Sequence, residues 1–460
     1  MLFSSLIFLY AFLPCTLLAY FLTPRRGKNA VLLLASLLFY AWGEPRYLIL
    51  ILLTMLLGFT AGLGIHRFRG HLLGRLFLLA SGIGSLGLLC CFKYGDFFLS
   101  TINGILGSSL PLWHLALPVG ISFYTFQILS YTIDLYRGDV EVQRNPVSFA
   151  LYVSLFPQLI AGPIVRYRDV ALELQERKHS AEMAYEGTCR FLVGLGKKVI
   201  LANNLGLLCQ SYRNSADPSV LFAWLSAVGF SLQIYFDFSG YSDMAIGLGR
   251  ILGFHFPENF RYPYCSRSVT EFWRRWHMTL GAWFRDYVYI PLGGNRVGKL
   301  RWMGNILLVW YLTGLWHGAG WNFLLWGLFY AVLLLGEKLW YGPFLVRKPR
   351  FGHIYLLISV LFGFVLFQGE SLSQSLGDIR AILGLGGIPM ISRQSLYALR
   401  NHGALLILGG LGATPLPGRL YQRWAKGLQW AEPLLLTLLL LLCTAYLVDG
   451  SFNPFLYFRF

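Results

Sequence analysis

Hydrophobic positions in this chain come in long runs broken by short polar and basic connections. Apolar runs fall near residues 2–22, 30–42, 47–64, 73–92, 112–133, 147–161, 219–236, 304–316, 319–340, 352–367 and 432–448. A helix needs about 20 apolar residues to cross a bilayer, and several of these runs are shorter. The pattern therefore predicts an all-α polytopic integral membrane protein of about 10–13 membrane segments, some tilted, re-entrant or half-length. The first run lacks a basic leader and a small-residue cleavage site, so it reads as a retained helix. Residues 1–135 read as a helical scaffold, 136–330 hold most of the polar and aromatic features, and 331–460 return to apolar spans. No linker divides these stretches, so 1–460 reads as a single transmembrane domain. No internal repeat is visible, which disfavours an inverted-repeat transporter.

Composition agrees with that reading: 56% of residues are hydrophobic and 13% charged, against roughly 45–50% and about 25% in soluble proteins. The formal charge of +17 could suggest a nucleic-acid partner. The cations instead cluster in short loops, at Pro24–Lys28, His66–Arg69, Arg166–Arg168 and Arg177–Lys178, as the positive-inside rule places cytoplasmic loops. The N-terminus then lies outside if the first run spans once. Seven cysteines form no C-x-x-C pair, which argues against a metal cluster or disulfide framework and leaves them as packing residues.

Chemistry concentrates in the middle third. The block Trp316-His317-Gly318-Ala319-Gly320-Trp321-Asn322 puts a histidine among small residues and tryptophans inside an apolar span, where an ionisable group is costly and marks a functional site by default. Gly314, Gly318 and Gly320 would let a substrate chain pass close to the backbone. A second histidine, His277, follows the aromatic, basic stretch Glu271-Phe272-Trp273-Arg274-Arg275-Trp276. The capping-box spacing Ser268-Val269-Thr270-Glu271 predicts a helix from there toward Trp283, with Glu271 pairing Arg275 one turn on. Residues 261–301 carry eight basic side chains against two acidic ones, a patch suited to phosphates or to lipid headgroups, with Arg274, Arg275 and Arg285 as its candidates. Gln233, Asp237, Ser239 and Tyr241 end another apolar run. They either line a tunnel or, as the better reading for Asp237 and Asp243, lock helices through buried hydrogen bonds. Phe156-Pro157-Gln158 to Pro163 predicts a re-entrant turn in which Gln158 satisfies the backbone or faces a cavity. No Gly-x-Ser-x-Gly elbow, phosphate loop or His-Glu-x-x-His motif occurs.

Phe156–Pro163, Gln233–Asp243, Asn259–Tyr264, Glu271–His277, Asp286–Gly294, Trp316–Gly327 and the terminal Phe452–Phe460 together resemble the membrane-bound O-acyltransferase family, in its bacterial alginate O-acetylation branch. The resemblance covers nearly the whole chain. It implies a helical bundle with re-entrant and interfacial helices around a central tunnel, with His317 as the invariant catalytic histidine and His277 as the second active-site position. It further implies acetyl transfer from cytosolic acetyl-CoA, with no tightly bound cofactor and no metal. The acetyl group would pass across a bacterial inner membrane to a periplasmic, SGNH-hydrolase-like acetyltransferase working with exopolysaccharide synthesis machinery. Trp273, Trp276, Trp316 and Asn322 join the tunnel-lining or donor-binding candidates. Relatives often carry Phe-Arg where this chain reads Phe367-Gln368, so the polymer, whether alginate, cellulose or another, and the partner stay open. The rivals are a non-enzymatic transporter or export component, and a family enzyme acylating a lipid, a protein or a teichoic-acid-type acceptor.

Overall fold

The computed structural model describes residues 1–428, 430–450 and 456. The terminal motif Phe452–Phe460 therefore lies outside the described residues apart from Leu456. All regular elements among the described residues are helical, and seven helices are long and apolar enough to cross a membrane. That is fewer than the apolar runs suggested, because several runs fold as short or interrupted helices. The 30–42 run becomes the 16-residue helix Lys28–Gly43. The 112–133 run yields the 17-residue Ile121–Arg137, which starts only after an irregular stretch. Conversely, Ala181–Arg213 forms a 33-residue apolar span that sequence reading passed over, because Lys197 and Lys198 interrupt its hydropathy.

The chain divides into two compact units: Met1–Phe191 with Ser242–Pro257, and Leu192–Tyr241 with Glu258–Phe460. In the first unit, Asn145 caps the helix Pro146–Ser154 by accepting the Val147 N–H at 2.9 Å, with Pro146 preset for the first turn. That helix stops at Leu155, and a four-residue helix Phe156–Leu159 follows. Here the expected break is found, with two of its buried polar groups met locally. Ser36 Oγ accepts the Phe156 N–H at 3.1 Å, and Gln158 Nε2 donates to the Tyr152 carbonyl at 2.5 Å. Asp243 pairs with Arg190 at 2.9 Å, the helix-locking role expected of it.

The second unit is built around buried aromatic side chains, among them Tyr235, Phe272, Trp276, Trp326, Tyr330, Phe364 and Phe367. Two helices, Lys299–His317 and Trp321–Gly336, form a hairpin through Gly318–Gly320. A Cβ added at Gly314 would sit 2.4 Å from the Phe323 carbonyl oxygen, and one at Gly327 2.3 Å from that of Trp310. Only glycine allows this approach of the two backbones. The space beside Gly314 is thus filled by the neighbouring helix rather than by a substrate path, correcting the expectation from spacing. Of the cysteines, Cys209 and Cys443 are buried, whereas Cys15, Cys90 and Cys91 are exposed and do not pack the interior.

Candidate active site

His277 sits at a break that the capping box did not reveal. Ser268 Oγ does accept the Glu271 N–H at 3.0 Å, and Glu271 pairs with Arg275 at 2.5 Å. The helix nevertheless runs only from Val269 to Trp273 and resumes at Met278–Phe284. Between them His277 adopts a left-handed backbone, φ 43° and ψ 52°, a conformation that is uncommon for a non-glycine residue and is retained when surroundings over-determine it.

Those surroundings are supplied by Asn259. Its backbone carbonyl accepts the Met278 N–H at 2.9 Å. Its Oδ1 lies 3.0 Å from Thr279 Oγ1 and 3.0 Å from His277 Nδ1, and also accepts the Thr279 N–H at 3.4 Å. Because Oδ1 accepts, His277 carries its proton on Nδ1, and Nε2 is the basic nitrogen of the ring. The imidazole is 2% exposed, with Phe238 edge-on at 4.7 Å. Burial pushes its pKa down to about 3, so it is neutral at physiological pH.

His317 is the last residue of its helix and is 7% exposed. Its ring meets Trp316 at 4.9 Å, Trp326 at 5.0 Å and Phe367 at 5.3 Å, each near edge-on. Trp316 also approaches His277 at 5.9 Å, so one indole touches both histidines. His317 opens onto a cavity of about 20 Å³ lined also by Asp237, Trp276, Trp326, Phe367 and Leu456. Such a volume holds about one water, so a larger ligand enters only if a lining side chain moves.

The remaining expected residues separate clearly. Asp237 lines the cavity and is ion-paired with Lys198 at 2.5 Å, both side chains 3% exposed; its Oδ2 also accepts the Leu456 N–H at 2.9 Å. Gln233, Ser239 and Tyr241 are buried on the same helix, Val220–Ile251. Asn322 donates to the Gly369 carbonyl at 2.8 Å, tying the start of its helix to the segment that carries Phe367. Trp273 packs against Trp310 at 4.8 Å and Tyr330 at 4.8 Å. Gln158 belongs to the first unit, where its Nε2 donates to the Tyr152 carbonyl. Arg274 and Arg285 are exposed, and Arg275 and Arg285 already face carboxylates, Glu271 at 2.5 Å and Asp286 at 2.7 Å.

Three further groups escaped sequence reading. Lys198, on the π-helical turn Lys197–Ala202, was recognisable only as a lysine inside an apolar stretch, and its partner lies in another helix. Asn259 carried no signal beyond its place in a motif. Trp326 lines the cavity with its Nε1–H buried and without a hydrogen-bond partner, which leaves a donor for an incoming oxygen.

Two buried histidines, one closing the helix Lys299–His317 beside a small cavity and one held neutral at a helix break, define a buried acid–base site. Residues 114–376 match the membrane-bound O-acyltransferase (MBOAT) family, and the chain belongs to that family. It is a multi-pass membrane acyltransferase, and this sets aside the transporter reading. Its relatives include the probable alginate O-acetylase AlgI of Pseudomonas putida, 38% identical over all of both chains, and that of Pseudomonas aeruginosa, 40% identical over 84% of this chain and 75% of its own. The peptidoglycan O-acetyltransferase of Helicobacter pylori is 33% identical over 100% of this chain and 98% of its own.

Proposed function

We propose that this chain takes acetyl from cytosolic acetyl-CoA and passes it across the bacterial inner membrane for O-acetylation of a secreted polysaccharide. In this reading the 460 residues work as one membrane domain. The observation that carries it is the pairing of His317, open to a cavity, with a neutral His277 that shares its Trp316 neighbour. Full-length similarity to relatives named for O-acetylation of alginate and of peptidoglycan supports the acceptor class.

The chemistry follows from the groups at hand. His317 takes the proton of an acceptor hydroxyl as its oxygen attacks the thioester carbonyl. The C–S bond breaks, and the proton passes from His317 to the leaving coenzyme A thiolate. The developing oxyanion meets donors: Trp326 Nε1–H is one in reach of the cavity lining, and His277 orients the donor or carries a second proton. Arg274, Arg275 and Arg285 draw in the phosphates of coenzyme A through charge. The acceptor hydroxyl belongs to a periplasmic, SGNH-hydrolase-like protein, which carries the acetyl ester and delivers it to a hydroxyl of the polymer, regaining its own hydroxyl.

The test uses sealed proteoliposomes of known orientation with the acceptor protein enclosed. Acetyl-CoA added at the cytoplasmic face should acetylate the enclosed acceptor, with coenzyme A released outside. Transfer confined to an acceptor on the donor side would refute cross-membrane delivery. It would leave a one-sided acyltransferase acting on a lipid, protein or teichoic-acid-type acceptor, a reading for which similarity to teichoic acid D-alanyltransferases speaks, that of Bacillus subtilis being 31% identical over 55% of this chain and 69% of its own.

A further inference from the structure

The first unit contains a second polar cavity, of about 870 Å³, that the acyl-transfer reading does not use. Its walls carry six cationic side chains, Arg25, Arg26, Lys28, Arg144, Arg177 and Lys178, against one carboxylate, Glu176. These residues come from connections far apart in sequence, and the charge bias assigns Pro24–Lys28 and Arg177–Lys178 to the cytoplasmic side. Loop charges that serve only orientation can stay dispersed and hydrated. Here they converge.

At the floor of the cavity the cations are held in place. Arg177 lies over the Phe254 ring at 4.6 Å and near the Tyr20 ring at 5.7 Å. Its Nη2 donates to Asn29 Oδ1 at 2.6 Å. Asn29 in turn donates to Ser148 Oγ at 3.0 Å and to the Leu174 carbonyl at 2.8 Å, so three segments fix the guanidinium's anchor. Lys28 Nζ sits 4.3 Å over the Tyr20 ring. The Arg177 side chain also hydrogen-bonds Tyr20, and the nearby carboxylate of Glu173 is engaged by the His255 N–H at 3.1 Å and by His255 Nδ1 at 2.6 Å. Crowding shows in His179 as well, whose pKa is lowered by burial and then by Lys28, Arg177 and Arg25.

A planar guanidinium fixed over aromatic rings, with five more cations around a cavity of this size, matches the charge and oxygens of a phosphate group. We propose that this cavity binds a phosphate-bearing ligand at the cytoplasmic side, with Arg177 as its central contact and Arg25 and Arg144 at its rim. The phosphate comes either from the headgroup of an anionic lipid or from a soluble phosphate ester.

Thermal unfolding of the full-length protein in phosphatidylcholine nanodiscs separates these sources. One arm titrates inorganic pyrophosphate; the other dopes the nanodiscs with phosphatidic acid. A rise in Tm is expected in at least one arm, and which arm responds names the source. Arg177→Gln should weaken the apparent affinity in that arm at least about tenfold. The rim variant Arg25→Gln/Arg144→Gln, which leaves the Asn29 anchor intact, should do so too and keeps the test decisive if Arg177→Gln fails to fold. Arg350→Gln, an exposed arginine in the second unit, should change nothing. No rise in either arm, or a rise that survives the rim variant undiminished, overturns the proposal.

Discussion

Replacing Asp237 by asparagine is the sharpest test of the site's electrostatics. Lys198 and Asp237 meet at 2.5 Å with both side chains 3% exposed. At an effective dielectric of ~20, opposite unit charges at that separation attract by about 7 kcal/mol, and much of this offsets the cost of removing both from water. Asparagine keeps the shape, and its amide oxygen still accepts the Leu456 N–H. What changes is that the Lys198 ammonium stays buried without the Asp237 charge, which should cost about 3–5 kcal/mol. With unfolding entropy near ~2 cal/mol/K per residue, this is a fall in Tm on the order of 3–5 °C for a chain of this length. Lys198→Met should cost a similar amount by stranding the carboxylate. The double variant Lys198→Met/Asp237→Asn removes both charges and should recover most of the stability, giving a coupling of several kcal/mol in a double-mutant cycle. Thermal unfolding in nanodiscs reads the stability, and coenzyme A release from acetyl-CoA reads the chemistry. Since Asp237 lines the His317 cavity, the double variant should regain Tm without regaining activity. Additive single costs, or an unchanged Tm in Asp237→Asn, would refute the reasoning.

Four further outcomes are expected. His317→Ala should insert and unfold as the parent does while losing roughly 10²–10⁴-fold in acyl transfer; near-normal activity in the folded variant would remove it from the mechanism. Because the His277 pKa is lowered in the folded state to about 3 while an unfolded histidine titrates near ~6.5, the unfolded chain binds the extra proton between those values. Stability is therefore lost as pH falls through that window, by up to ~1.4 kcal/mol per pH unit, and His277→Gln should flatten the dependence of Tm on pH. Gly314→Ala should lower Tm, as its Cβ would meet the Phe323 carbonyl oxygen at 2.4 Å and overpacking costs typically ~1–3 kcal/mol; unchanged stability would mean the hairpin separates freely. Glutamine at Arg274, Arg275 and Arg285 should raise KM for acetyl-CoA more than it lowers kcat, whereas unchanged KM would assign these arginines to the lipid-headgroup belt.

Sequence alone determined the class of the protein. Apolar runs with cations confined to loops leave few alternatives to a helical membrane protein, because backbone groups in lipid must be satisfied within a helix. The two histidines were also legible, since an ionisable side chain is conspicuous where its neighbours are apolar. So was the break at Phe156–Pro163, where the prolines leave a local mark. The Glu271–Arg275 pair was visible too, because its partners lie one helical turn apart.

Partnership between distant segments was decided only by tertiary structure. Nothing within a few residues of Asp237 names Lys198, and nothing near Val269–Trp273 shows that Asn259 will hold His277 in a left-handed turn and fix its proton on Nδ1. Gly314 looked like room for a substrate until the Phe323 carbonyl of the neighbouring helix occupied it. Periodicity and capping are set by contacts a few residues apart, and the sequence states them directly. Charge compensation, tautomer and cavity shape depend on which remote side chains the fold brings within a few ångströms, and many sequences with the same local pattern would resolve them differently.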